Sequence, residues 1–189
     1  MRSGARHRAN RSPGGNPLQS PCHVLFLCTG NSARSILAEA LLNHLGQGRV
    51  IAHSAGSQPT GQVNPLALVT LEQQQIPVGG PRSKRWDEFA GADGSSRGMD
   101  IIITVCHSAA GEVCPVWPGS PVTAHWSIKD PVGVTGSDAT RRQAFLEAFE
   151  ALHARIQGLI ALPVQKLDRV ALKRRLNELG EHPPETVTG

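Results

Sequence analysis

The run Val24-Leu25-Phe26-Leu27-Cys28-Thr29-Gly30-Asn31-Ser32-Ala33-Arg34-Ser35 constrains this chain more than any other stretch. An apolar strand, a tight polar loop and a helix start follow one another directly. The loop opens with a cysteine and closes six residues later with an arginine, a C-x5-R spacing. A cysteine ending a buried strand and an arginine in a salt bridge would also give that spacing. The strand before, the Gly-Asn within and the helix after favour an oxyanion-binding loop with a thiol at its floor.

The residue types suit that chemistry. A tetrahedral oxyanion needs converging donors, and backbone N–H groups of a short loop at a helix N-terminus supply them. On this reading Thr29, Gly30, Asn31, Ser32, Ala33, Arg34 and Ser35 bind the anion. Gly30 and Asn31 tolerate a left-handed backbone. Arg34 adds a planar fork for two oxygens, and the Ser35 hydroxyl can donate to the sulfur. The same positive field should favour thiolate at Cys28, since helix N-termini take a cysteine from about 8.5 to roughly 3.5–7.5.

Further along, the spacing predicts a helix over 33–45, with Ile36, Leu37, Ala40, Leu41 and Leu45 recurring on one face. A short strand should cover 49–53, and Asn64-Pro65 should cap and start a helix to about Gln75. A short helix over 84–90, a Gly- and Ser-rich loop over 91–98 and a strand over 100–105 come next. That strand is continuously β-branched, as a strand buried on both faces requires. A fourth strand over 121–126 leads to a long helix capped by Ser137 or Asp138 and ending near Ala161. The last helix spans 164–179, with Leu167, Val170, Ala171 and Leu179 inward and Lys173, Arg174 and Arg175 on a solvated face.

Alternation of strands and helices implies an α/β fold: three layers, a four-stranded parallel sheet with helices on both faces, plus a C-terminal helical extension. The expected organisation is a disordered Arg-rich tail over 1–21, the α/β domain over 22–161 and the extension and tail over 162–189. In such sheets ligands sit beyond the carboxyl ends of the strands, where Cys28, Cys106 and Asp130 all fall.

Charge is uneven. Residues 1–20 hold Arg2, Arg6, Arg8 and Arg11 and no acid, so removing those four from 19 basic residues leaves 15 against 15 acidic ones. A neutral body argues against nucleic-acid binding. The tail lacks the apolar core of a secretory signal, and Pro13, Gly14, Gly15 and Pro17 spoil an amphipathic transit helix. No run of eighteen apolar residues offers a membrane span. Four cysteines are too few for a disulfide scaffold in 189 residues, and a reducing, cytoplasmic setting follows.

Asp130-Pro131 is either a turn initiator or the acid that protonates an oxygen leaving the central atom. Cys106 and Cys114, eight apart, lack the close pairs that zinc sites prefer. Cys106 alone would pass as a buried inert thiol. Two cysteines around a flexible loop, near Cys28 on the next strand, suggest a thiol relay. Cys22 reads as structural.

Together these segments resemble the arsenate reductases built on the low-molecular-weight tyrosine phosphatase fold. The resemblance runs from Val24 to about Ile156 through CTGNSARS at 28–35, HSAG at 53–56, NP at 64–65, RSKRWDEF at 82–89, ITVCHSAAGEVCP at 103–115 and HWSIKDPVG at 125–133. It implies that Cys28 is the nucleophile and Asp130 the general acid, that Asn31, Arg34 and Ser35 shape the loop, and that Cys106 and Cys114 form a redox pair. The implied reaction reduces arsenate to arsenite, with phosphate as a competing anion. No bound cofactor or metal is needed, only an external thiol reductant, thioredoxin or glutathione with glutaredoxin. In members holding a potassium ion beside the loop an acidic residue sits where this chain has Lys84, whose ammonium would supply that charge. The Cys106–Cys114 spacing, one longer than in thioredoxin-coupled members, leaves the donor open. The alternative is a low-molecular-weight protein-tyrosine phosphatase. Such enzymes carry aromatic residues after the Asp-Pro, whereas Val132 and Gly133 follow here and the chain has no tyrosine. A third reading, an arsenic-binding regulator without turnover, has no use for Asp130.

Overall fold

The computed structural model describes residues 21–90, 98–106 and 117–181. All but the last residue of the expected tail over 1–21, most of the loop over 91–98, and Cys114 lie outside the described residues.

Strands β1 (Cys22–Cys28), β2 (Val50–Gly56), β3 (Ile101–Thr104) and β4 (Val122–His125) form one parallel sheet in the order β2-β1-β3-β4. The helices are α1 (Arg34–Gly46), α2 (Pro65–Gln73), α3 (Asp87–Ala90), α4 (Asp138–Ala161) and α5 (Arg169–Glu181), with a 3-10 turn over Val164–Lys166. The doubly buried strands read in the sequence are present. Val24 and Phe26 of β1 face a large core built with α1, α4 and α5, while Leu25 and Leu27 face a smaller one with Ile102, Trp86, Phe89 and Trp117. Register places the strand ends level: Cys28 opposite Gly56, and Leu27 opposite Thr104, itself opposite His125. No helix among the described residues is long and apolar enough to cross a membrane.

Local chemistry sets most boundaries. Asn64 accepts from the Leu66 N–H at 2.9 Å and Pro65 opens α2. Ser137 caps α4 by accepting from the Thr140 N–H at 3.1 Å. On the outer edge of β2, Asn43 of α1 bonds both the N–H and the carbonyl of Ala52, at 2.8 and 3.0 Å. It thereby fills a stretch of edge that would otherwise template another strand.

Two expectations are corrected. Residues 84–86 are not helical: Arg85 bridges Gly56, with the Gly56 N–H donating to Lys84 O at 2.9 Å and the Trp86 N–H to Gly56 O at 3.0 Å. Pairing with the sheet edge outweighs the local helical pattern, and the helix is confined to Asp87–Ala90. The last helix starts at Arg169, not 164, because Asp168 caps it, accepting from the Ala171 N–H at 2.8 Å. Of the expected inward face, Leu167 and Leu179 do pack half-buried against the core, but Val170 is 80% exposed, and Leu172 and Leu176 are the residues fully taken into it.

Leu176→Ala should therefore cost about 2–5 kcal/mol, whereas Val170→Ala should stay within about 0.5 kcal/mol. Chemical denaturation of both variants checks the helix phase.

Candidate active site

The loop from Cys28 to Arg34 runs between the end of β1 and the start of α1. Its outer side lies along residues 57–64. The N–H groups of Ser57, Gln58, Thr60 and Asn64 donate to the carbonyls of Cys28, Thr29, Gly30 and Ser32 at 3.2, 3.0, 3.0 and 2.9 Å. In a trans peptide the carbonyl and the following N–H point opposite ways. Pinning these carbonyls outward therefore turns the N–H groups of Thr29, Gly30, Asn31 and Ala33 inward, and the Asn31 N–H does meet the Cys28 sulfur, at 3.1 Å. Asn31 holds φ 42°, the left-handed geometry expected of it. Sequence reasoning passed over the 57–64 segment; its only signal was the Gly-, Pro- and Thr-containing run directly after HSAG.

Asn31 is also the hub of a buried polar network. Its Oδ1 accepts from the Lys84 N–H at 2.8 Å, which fixes the amide's orientation. Its Nδ2 then donates to Ser35 Oγ at 2.9 Å and Ser54 Oγ at 3.0 Å. With that lone pair used, the Ser35 hydroxyl is free to donate to Cys28 Sγ, 2.9 Å away. Ser54 donates to Glu39 Oε2 at 2.5 Å, and Lys84 Nζ lies 3.4 Å from Glu39 Oε2, 3.3 Å from Ser54 Oγ and 3.3 Å from Arg82 O. Glu39 and Ser54 were not singled out from the sequence. Glu39 shares a helix face with the loop's end, and no local pattern marks it.

Cys28 is 4% exposed. Burial lifts its thiol above the ordinary value, the nearby Cys106 adds to that, and the Ser35 hydroxyl, Asn31 N–H and Arg34 pull it down. The thiolate-favouring groups expected from the sequence are present, but desolvation of a charged sulfur outweighs them.

Arg34 Nη1 donates to Ile128 O at 3.1 Å, and Nη2 lies 3.3 Å from Asp130 Oδ2. Asp130, half exposed, also accepts from the Val132 N–H at 3.1 Å. The acid candidate thus reaches the loop arginine across more than ninety residues of chain. Cys106 is 2% exposed, two residues past β3, with its sulfur 3.7 Å from Thr29 Oγ1, the residue after Cys28. Cys28, Cys106 and Asp130 are therefore brought to one end of the sheet, where the sequence puts them, with Arg34 and Lys84 beside them; Cys114 lies outside the described residues. Among the described residues no group of three or more His, Cys, Asp or Glu is arranged to hold a metal ion.

Gly56 sits directly behind the loop. A methyl there would overlap Thr29 O and stand 3.1 Å from the Asn31 nitrogen. Gly56→Ala should displace the loop and weaken phosphate binding by about tenfold or more, since small misplacements of a positioned site are costly. Calorimetric titration with phosphate, with circular dichroism confirming the fold, checks this.

Comparison with known proteins agrees with this geometry. The family model "Low molecular weight phosphotyrosine protein phosphatase" matches residues 23–173. An arsenate reductase of Halalkalibacterium halodurans is 31% identical over 135 residues, 71% of this chain and 91% of that protein. A glutaredoxin arsenate reductase of Synechocystis is 27% identical over 138 residues, 73% of this chain and 95% of that protein. The solved thioredoxin-dependent arsenate reductase of Corynebacterium glutamicum superposes with a TM-score of 0.55 at 29% identity, covering 75% of this chain and 62% of that one. The chain belongs to the low molecular weight phosphotyrosine protein phosphatase family, alongside its arsenate reductases.

Proposed function

We propose that this protein reduces arsenate to arsenite through Cys28, Cys106 and Cys114, drawing electrons from an external thiol reductant. The carrying observation is the buried Cys106 thiol at 3.7 Å from the Thr29 hydroxyl, beside the nucleophile's loop. Ester hydrolysis needs one sulfur there, whereas reduction needs a second.

Arsenate enters the N–H-lined loop and takes the open part of the Arg34 fork. An oxygen of the arsenate dianion accepts the Cys28 proton as the sulfur attacks arsenic. Asp130, half exposed, takes up a proton from solvent as the incoming anion draws Arg34 away from it, and gives that proton to the oxygen that departs as water. Cys106 then attacks Cys28 sulfur. The As–S bond breaks with its electron pair left on arsenic, which leaves as arsenite. Cys114 attacks Cys106, freeing Cys28 and moving the disulfide outward. An external thiol reductant, either the thioredoxin dithiol or two glutathione thiols with glutaredoxin, restores the pair by two electrons. The named relatives include one of each kind, which supports either donor.

Lys84 supports the loop. Its ammonium, held by Glu39 and Ser54, stands one hydroxyl and one amide from the Ser35–Cys28 pair and supplies the fixed positive charge that a bound cation would. Phosphate competes for the loop, and a weak phosphatase side activity accompanies reduction. The setting is a reducing cytoplasm.

Arsenate reduction assayed with both reductant systems in parallel tests this reading. Cys28→Ser should abolish turnover, and Cys106→Ser and Cys114→Ser should each stop multiple turnover. Asp130→Asn should lower the rate by about 100-fold or more, and added potassium should leave the wild type unchanged. Full turnover of Cys106→Ser with glutathione would remove the relay.

A further inference from the structure

The chain leaves β4 at His125 and reaches Asp130 through Trp126, Ser127, Ile128 and Lys129. This short segment has two anchors. At its far end, Arg34 holds the Ile128 carbonyl at 3.1 Å and faces the Asp130 carboxylate at 3.3 Å. At its root, the anchor is α5. Trp126 is fully buried, and its indole N–H donates to Leu176 O at 2.9 Å. One turn later Gly180 rests on the strand end itself. A Cβ there would come within 2.5 Å of His125 O and 2.9 Å of Trp126 Cδ1. Arg155 of α4 donates to Gly180 O at 3.0 Å and holds the helix end against that contact.

Leu172 and Leu176 already account for the burial of α5. The contacts at Trp126 and Gly180 do something different: they are backbone-level contacts, one a hydrogen bond to a carbonyl and the other a close approach that only glycine allows. Both fall within five residues of Asp130.

We propose that α5 is a positioning element for the general acid, with Trp126 and Gly180 as the positioning residues that set where β4 ends and hence where the Asp130 carboxyl stands. The inference rests on the reading of Asp130 as the acid. A misplacement of about 1 Å, from a site well away from the chemistry, is enough to slow a positioned step. Ile128, part of the far anchor through its carbonyl, is 2% exposed, so a shift at the root has little free space there to be absorbed.

A double-mutant cycle on the full chain tests it. Gly180→Ala and Asp130→Asn are made singly and together, and the single-turnover rate of arsenite formation is measured over a range of arsenate concentrations up to saturation. The rate of Cys28 alkylation by iodoacetamide is followed by peptide mass. Gly180→Ala should slow arsenite formation about tenfold with KM and Cys28 alkylation unchanged, and in the Asp130→Asn background it should slow it less than about twofold. Trp126→Phe, which deletes the donor to Leu176, should repeat the pattern and carries the cycle if Gly180→Ala does not fold. An equal fold-loss in both backgrounds, or no loss in the folded single variants, overturns the inference and leaves Asp130 as the acid. A fully active Asp130→Asn overturns both.

Discussion

The site depends on one constraint: the carbonyls of Cys28, Thr29, Gly30 and Ser32 are held outward by the N–H groups of residues 57–64. A loop of this length left to itself has no reason to aim every amide the same way, and a free carbonyl turned inward would repel an oxyanion. The parallel pairing of β1 with β2 carries the chain from Gly56 straight into the segment that does the pinning. The sheet is thus more than a scaffold for the loop, because its register selects which side of each peptide faces the anion.

Behind the loop lies a network of buried polar side chains in which each link is satisfied. Asn31 receives from Lys84 and gives to Ser35 and Ser54, Ser54 gives to Glu39, and Lys84 neutralises Glu39. Burying a lysine is costly unless it is paired and hydrogen-bonded, and Lys84 has a carboxylate, a hydroxyl and a carbonyl within 3.4 Å. Breaking any one link leaves a buried group unpaired. The network thereby ties the nucleophile's surroundings to α1 and β2 rather than to solvent.

The loop and its nucleophile were legible because their signal is local: strand, turn chemistry and helix start occur within twelve residues. The parallel sheet was legible for the same reason, from apolar runs such as Ile101-Ile102-Ile103. What escaped was non-local. Lys84 precedes the Arg85 bridge to Gly56 rather than opening a helix, because an edge strand was available to pair with. Which side of α5 lies deepest, Leu172 and Leu176 rather than Val170, is a choice that only the packed partner decides. The ionisation of Cys28 is a sum over burial and several neighbours, and the loop motif reveals the neighbours but not the burial. Cys106 could be placed at a strand end near Cys28 from sequence, but its contact with the Thr29 hydroxyl could not.

The central claim is that Cys106 takes over the bond that Cys28 makes to arsenic. The direct measurement is a trap. Reduced Cys114→Ser protein is given one equivalent of arsenate without reductant, quenched with acid, and mapped by peptide mass under non-reducing conditions. A Cys28–Cys106 disulfide formed in step with one equivalent of arsenite is the result this account predicts. Arsenite formed with Cys28 in a disulfide to a cysteine other than Cys106, or no arsenite at all from a folded protein that binds arsenate, would contradict it.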